Sequence, residues 1–187
     1  MPAMFIQTEP TPNPETLKFL PGREIAPDQP REFATPEEAE ESRLAKELFA
    51  VEGVIRVFAG MDFVSVTKAE GVEWAHIRPQ VLGAITDVLE SGESLFGKAD
   101  AGPGHADSDH PIVKEIVEIL DTRVRPNVAQ DGGDITFHSY DEESGRVYLH
   151  MRGACAGCPS STMTLKMGIE NLLRHYVPEV TGVEAMT

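Results

Sequence analysis

The chain has 187 residues, 41% hydrophobic and 25% charged, which excludes wholesale disorder and suits one larger core or two small ones. Sixteen basic residues against thirty-one acidic ones leave a formal charge of -15, a field that repels phosphate backbones and anionic membrane surfaces, so no nucleic-acid partner is expected. No apolar run approaches the roughly 20 residues of a membrane-spanning helix, so no membrane partner is expected either.

The N-terminus, MPAMFIQTEPTPNP, shows neither a basic region followed by an apolar stretch nor an Arg-rich presequence. It therefore predicts neither secretion nor organelle import, which leaves the cytoplasm or a mature form already trimmed, with the cytoplasm as the expectation. MFIQTE and TLKFLP read as strands on either side of the bend Thr11-Pro12-Asn13-Pro14. From Pro36-Glu37-Glu38 an amphipathic helix carries Leu44, Leu48 and Phe49, and Gly53 follows its end. VIRVFAG and DFVSVTK alternate as two strands about Gly60-Met61, and IRPQVLGAITDVLE places Ile77, Val81, Ile85 and Leu89 on one helical face.

Residues 91 to 111 are rich in Gly, Ser, Asp and Ala and lose all periodicity, as a linker does. The chain accordingly divides into an N-terminal domain over 1–92, a flexible linker over 93–109 and a C-terminal domain over 110–187. In the last, HPIVKEIVEILDTRVRPNV predicts a helix with Ile112, Ile116, Ile119, Leu120 and Val124 inward, ending near Pro126. Asp131-Gly132-Gly133-Asp134 turns the chain into a hairpin of ITFHSY and GRVYLHM. A second helix, TMTLKMGIENLLRHY, turns Leu165, Ile169 and Leu172 inward, and a strand from Val183 to Met186 closes the sheet. The fold class is α+β, two small domains, the second an α-β-β-α-β unit with a three-stranded sheet backed by helices.

Both cysteines fall in the loop between the hairpin and the last helix, GACAGCPSS, as Cys155 and Cys158. A thiolate just before a helix N-terminus meets unsatisfied N–H groups and the positive end of the helix dipole, so its pKa falls. Pro159 suits the first helical position, Gly153 and Gly157 let the backbone curl, and Ala154 and Ala156 leave room beside the sulfurs. No Asp or Glu occurs from Ser144 through Ile169, whereas Arg146, Arg152 and Lys166 do, a window suited to an anionic guest.

Three chemistries compete for such a pair: a redox dithiol, half a zinc site and half an iron-sulfur site. Tetrahedral zinc and the common clusters each take about four protein ligands, and one chain offers two sulfurs. His138, His150 and His175 do not form the close pair of a zinc finger, and two facing copies of the chain would supply four thiolates. A thioredoxin-like dithiol would need a β-α-β lead-in that is absent upstream.

DGGDI at 131–135 followed by GACAGCPSSTMTLKMGIENLL at 153–173 resembles the C-terminal domain of the NifU-like, or Nfu, iron-sulfur scaffold and carrier proteins, and TPNPETLKF at 11–19 resembles the Nfu N-terminal domain. The resemblance implies a non-enzymatic carrier that receives a labile 4Fe-4S cluster, or the smaller 2Fe-2S form, from an upstream assembly scaffold and passes it to apo iron-sulfur clients. It implies Cys155 and Cys158 as cluster and metal ligands, a homodimer in the loaded state, and partner contact for the cysteine-free N-terminal domain. The alternatives are a dithiol oxidoreductase and a zinc-bridged dimeric adaptor.

Overall fold

The computed structural model describes residues 4–27, 29–97, 108–156 and 159–186. The chain separates into two compact units, Met1–Gly102 and Pro103–Thr187. Among the described residues, no helix is long and apolar enough to cross a membrane.

In the first unit, β1 (Gln7–Pro10) and β2 (Thr16–Leu20) form an antiparallel hairpin. The Pro-rich bend between them is held by side chains, because a proline-interrupted turn is short of backbone donors. The Thr11 hydroxyl donates to the Asn13 carbonyl at 2.8 Å, and Asn13 Oδ1 accepts from the Glu15 N–H at 3.0 Å. A strand not expected from the sequence, β3 (Arg31–Phe33), pairs with β4 (Val54–Ala59), which pairs in turn with β5 (Val64–Lys68). The five strands run β1-β2-β5-β4-β3, every neighbour antiparallel. Arg31, Glu32 and Phe33 give too short an alternation to announce a strand, and only Phe33 is buried.

The helix expected to run from Pro36 is broken in two. A 3-10 turn, Glu38–Glu41, stops at Ser42, whose extended backbone starts α1 (Arg43–Phe49). Ser42 breaks the helix because it caps the next one: its Oγ accepts from the Ala45 N–H at 3.0 Å. Leu44 and Leu48 are fully buried, and α2 (Trp74–Glu90) turns Ile77, Val81, Ile85 and Leu89 into the same core, as their spacing predicts. Positions 93–97 of the expected linker fall among the described residues. Leu95 and Phe96 pack on this core, the Phe96 ring stacks on Phe33 at 6.3 Å, and the Ser42 hydroxyl donates to the Leu95 carbonyl. Positions 98–107 of the expected linker lie outside the described residues.

The second unit opens with α3 (Pro111–Ile119), its proline in the first turn and the His110 ring accepting from the Ile112 N–H. A π-helical turn, Leu120–Val124, then leads into α4 (Arg125–Gln130), so the helix does not end at Pro126. The wide turn resets the hydrogen-bond ladder and places Pro126 in the first turn of α4, where its missing N–H costs little. Ile116, Ile119, Leu120 and Val124 are buried as expected, but Val113 is buried where Ile112 is half-exposed.

Strand β6 (Gly133–Asp141) pairs antiparallel with β7 (Arg146–Gly153), with an irregularity between Phe137 and Ser139. Helix α5 (Pro159–Tyr176) then carries the chain back so that β8 (Gly182–Met186) lies parallel to β7, giving the order β6-β7-β8. A parallel neighbour cannot be reached by a hairpin, so a helical crossover is obligatory here. The α-β-β-α-β order and α+β class match the expectation from sequence. The inward face of α5 is turned from expectation: Ile169 and Leu173 are buried, whereas Leu165 and Leu172 flank the core half-exposed.

Removing the cap in the Ser42→Ala variant should cost about 1–2 kcal/mol, because it strips α1 of its cap and leaves the Leu95 carbonyl without its donor. Trp74, the only tryptophan, lies in this unit, so urea unfolding followed by its fluorescence should show a lower midpoint at unchanged slope.

Candidate functional site

The loop after β7 is folded back onto the start of β6. Gly132 and Gly153 both adopt left-handed backbone, φ 82 and 61, which lets the two strand ends turn together. The Ala154 N–H donates to the Gly132 carbonyl at 3.2 Å, the Cys155 N–H to the Arg152 carbonyl at 3.3 Å, and the Ala156 N–H to the Gly153 carbonyl at 3.1 Å. The three successive amides of Ala154, Cys155 and Ala156 are thus all engaged by backbone carbonyls, with no guest required.

Cys155 is only 5% exposed. Its sulfur rests on the backbone of Gly133: a Cβ at that position would lie 2.5 Å from Cys155 Sγ and 2.8 Å from the Arg152 carbonyl oxygen. No side chain larger than hydrogen fits there without moving the cysteine or the strand. Within Asp-Gly-Gly-Asp, Gly132 therefore supplies the positive φ, Gly133 the clearance for sulfur, and Asp134 the anchor. All four residues were expected in a turn, whereas Gly133 and Asp134 already belong to β6.

Asp134 is buried and accepts a two-pronged contact from Arg125, Nε at 2.8 Å and Nη2 at 3.1 Å. Arg125 also reaches Asp121 at 3.0 Å, one turn back along the helix. This ties the end of β6 to α4 through a charge-assisted fork, the strong form of a carboxylate contact. Across the ladder from Asp134 stands Arg152, also buried, whose Nη2 lies 3.4 Å from the Thr136 hydroxyl. From the other side, the Thr162 hydroxyl in α5 donates to the Cys155 carbonyl at 2.9 Å. Gly133 as a spacer, the Arg125–Asp134 pair and Thr162 were not legible in the sequence; the run DGGDI was the only signal for them.

Cys158, the second expected ligand, lies with Gly157 outside the described residues. Among the described residues no group of three or more His, Cys, Asp or Glu could hold a metal ion. The acid-free window is altered by tertiary structure: Lys166 and Arg146 both reach Glu184 on β8, at 2.9 and 3.3 Å, and Arg152 sits across from Asp134. The loop is acid-free along the chain, but Lys166 and Arg146 are matched in space by Glu184.

His138 and His150 meet edge to face across the β6–β7 ladder, ring centroids 4.7 Å apart, a pairing hidden in the sequence because an irregularity in the ladder brings it about. Burial, then the His138 ring, then the Arg152 cation lower the pKa of His150. The fold holds it neutral where the unfolded chain is protonated, so the unfolded state binds more protons below about pH 6.5. Its contribution to stability is present above that pH and is lost as pH falls through the folded value. An NMR titration of the ring protons should show His150 titrating below an ordinary imidazole, and moving back up in the His138→Gln variant.

Gly133→Ala should destabilise this unit by about 1–3 kcal/mol, the cost of forcing an extra carbon into a packed site. Differential amide exchange on the variant should show the losses concentrated at 132–136 and 152–156, with the five-stranded unit unchanged.

A family profile described as "Scaffold protein Nfu/NifU N terminal" matches residues 6–92, and one described as "NifU-like domain" matches residues 116–184. The chain is 47% identical over 185 residues to "NifU-like protein 4, mitochondrial" of Arabidopsis thaliana, covering 97% of this chain and 65% of that protein. It is 45% identical over 183 residues to the "NFU1 iron-sulfur cluster scaffold homolog, mitochondrial" of Homo sapiens, covering 97% of this chain and 71% of that protein. A solution structure of a NifU-like protein from Saccharomyces cerevisiae is 28% identical, with a TM-score of 0.47, covering 52% of this chain and 87% of that one. The chain thus spans about two thirds of the length of the curated relatives it matches. These relatives are labelled mitochondrial, which overturns the cytoplasmic expectation. That expectation rested on a missing presequence, and a presequence is a removable address that leaves no mark on the fold. With both profiles matched in order and relatives at this identity, the chain belongs to the Nfu/NifU scaffold family, in its two-domain form.

Proposed function

We propose that this chain carries an iron-sulfur cluster as cargo, held by Cys155 and Cys158, and hands it to apo iron-sulfur proteins. The observation that carries the reading is the preformed loop: Cys155 is fixed on the Gly133 backbone by hydrogen bonds that need no guest, at a strand-to-helix junction of a chain whose human relative is named an iron-sulfur cluster scaffold homolog. A soft, dry thiolate donor set of this kind suits iron-sulfur chemistry. The site is read as a binding site that takes up and releases its cargo without catalytic turnover.

The cargo is a 4Fe-4S cluster shared by two chains. Two sulfurs per chain fall short of the about four that either common cluster takes, so a second copy completes the set. Loading and association are then one equilibrium, because the cluster binds the pair and not the single chain. Clusters enter from an upstream assembly scaffold, and the cysteine-free first unit serves partner contact.

A dithiol oxidoreductase is disfavoured by the α-β-β-α-β order of this unit, which lacks the β-α-β lead-in of a thioredoxin-like dithiol. A zinc-bridged pair would use the same sulfurs and is separated from the cluster reading by metal analysis.

Anaerobic reconstitution with iron and sulfide should load about four irons per two chains, and sedimentation should shift from monomer to dimer as iron is taken up. Cys155→Ser and Cys158→Ser should each abolish both. A loaded species that sediments as a monomer, with no small thiol supplying ligands, overturns the shared-cargo reading; zinc in place of iron and sulfide selects the adaptor.

A further inference from the structure

The helix that leaves the cysteine loop turns an apolar face to solvent. Met163 is 65% exposed and Met167 59% exposed, one turn apart on α5, and Thr164 and Gly168 are exposed beside them. Among the described residues of this unit, Tyr176 is the other exposed large apolar side chain, and it already stacks against the Arg123 guanidinium at 4.8 Å. The two methionines stand outside the core of this unit, whose partly buried flank on α5 is made by Leu165 and Leu172 instead.

Gly168 adds a second oddity. Glycine inside a helix costs about 1 kcal/mol against alanine. Here no atom comes within 4 Å of where its Cβ would stand, and its φ is ordinary, so nothing in the chain itself asks for glycine. Its effect is to keep the strip low between the methionines and the following turn. Lys166, on the same stretch of helix, is drawn away to Glu184, which leaves the strip uncharged.

We propose that this strip, Met163, Thr164, Met167 and Gly168, is the surface on which a second copy of the chain docks when the cluster is shared. The inference rests on the shared-cargo reading and says where the second copy sits. Three observations select a second copy as the occupant. The strip begins one turn into the helix that starts at Pro159, directly after the loop to which the other two sulfurs must be brought. Its own side chains carry no charge, and the neighbouring Lys166 and Glu170 are each tied to an opposite charge, Glu184 and Arg174, so two chains each carrying -15 can meet there at a locally neutral face. And the methionine side chains are long, unbranched and polarizable, able to pack against their own symmetry mates without pre-shaped holes.

The apo protein loses little by leaving so small a patch in water, so the pair forms only when sulfur–iron bonds add to it. The strip then makes loading selective for a correctly oriented partner chain, rather than for any two thiols in solution.

The test compares wild type with Met163→Glu/Met167→Glu and with Met163→Leu/Met167→Leu, all as the full chain. Both methionines are exposed, and far-UV circular dichroism of the apo forms checks that each variant is folded. Under anaerobic reconstitution the leucine variant should load and dimerise as wild type does. The glutamate variant should lose at least about tenfold in dimer affinity by sedimentation, with iron and sulfide content falling in step. In wild type, amides over 162–168 should exchange more slowly on loading. A glutamate variant that dimerises fully, with exchange over 162–168 unchanged in wild type, overturns this surface and leaves the shared cargo standing. A glutamate variant that loads and dimerises but fails to activate an apo 4Fe-4S protein assigns the strip to clients, and overturns it as well. Wild type that loads as a monomer overturns the shared cargo and the surface together.

Discussion

The contact between the Cys155 sulfur and the bare backbone of Gly133 organises the second unit. Sulfur can be buried against a strand only where that strand has no side chain, and the 2.5 Å that a Cβ would leave is far inside any packing distance. Everything next to that contact serves to hold its two sides in register. Gly132 turns the chain into β6, the Arg125–Asp134 fork ties β6 to α4, and the Arg152 carbonyl and Thr162 hydroxyl hold the cysteine peptide from either end. The bonds are mostly to backbone, which positions a side chain more rigidly than side-chain contacts do, because few torsions intervene.

Topology explains why such a loop exists at all. A hairpin could have joined β7 to an antiparallel third strand in a few residues. Because β8 runs parallel to β7, the chain must leave the sheet at one end, travel back through α5 and enter again. That exit places a loop and a helix N-terminus together at the end of β7, the arrangement in which open α/β units present ligands. The described residues of the loop, Ala154, Cys155 and Ala156, are small and buried.

Carrying a cluster asks for opposing qualities: a site organised enough to accept it and loose enough to release it. In the proposed role, sharing the ligands between two chains resolves this, since half of the site leaves whenever the pair separates. In that role the high like charge of both chains would keep unloaded copies apart, and the proposed face of α5, whose own side chains are uncharged, would be where they meet. The core of the single unit, with Ile116, Leu120, Ile135, Leu149 and Leu173 fully or almost fully buried, is built from the chain's own residues.

Periodicity alone determined most of the elements, because burial of an apolar face is a local requirement repeated at 3.6 or 2 residues. It placed Ile77, Val81, Ile85 and Leu89 on one face of α2 and Ile116, Ile119 and Leu120 on the buried side of the first helical stretch of the second unit, and it established the α-β-β-α-β order. The run DGGDI with GACAGCPSS, as a resemblance, was enough to name the family. Where elements begin and break was decided by tertiary contacts. Ser42 splits a helix because its hydroxyl serves both the Ala45 amide and the Leu95 carbonyl, Pro126 survives inside a helical stretch because a π turn precedes it, and β3 exists only because β4 offers it an edge. Charge behaved in the same way: the acid-free window is real along the chain, yet Glu184 arrives from β8 to pair with Lys166 and Arg146. A sequence records which residues must be buried and which thiols are near each other in the chain. Which backbone atom a sulfur rests on, and which carboxylate answers which cation, follows from strand register and crossover, and these exist only once the chain has closed on itself.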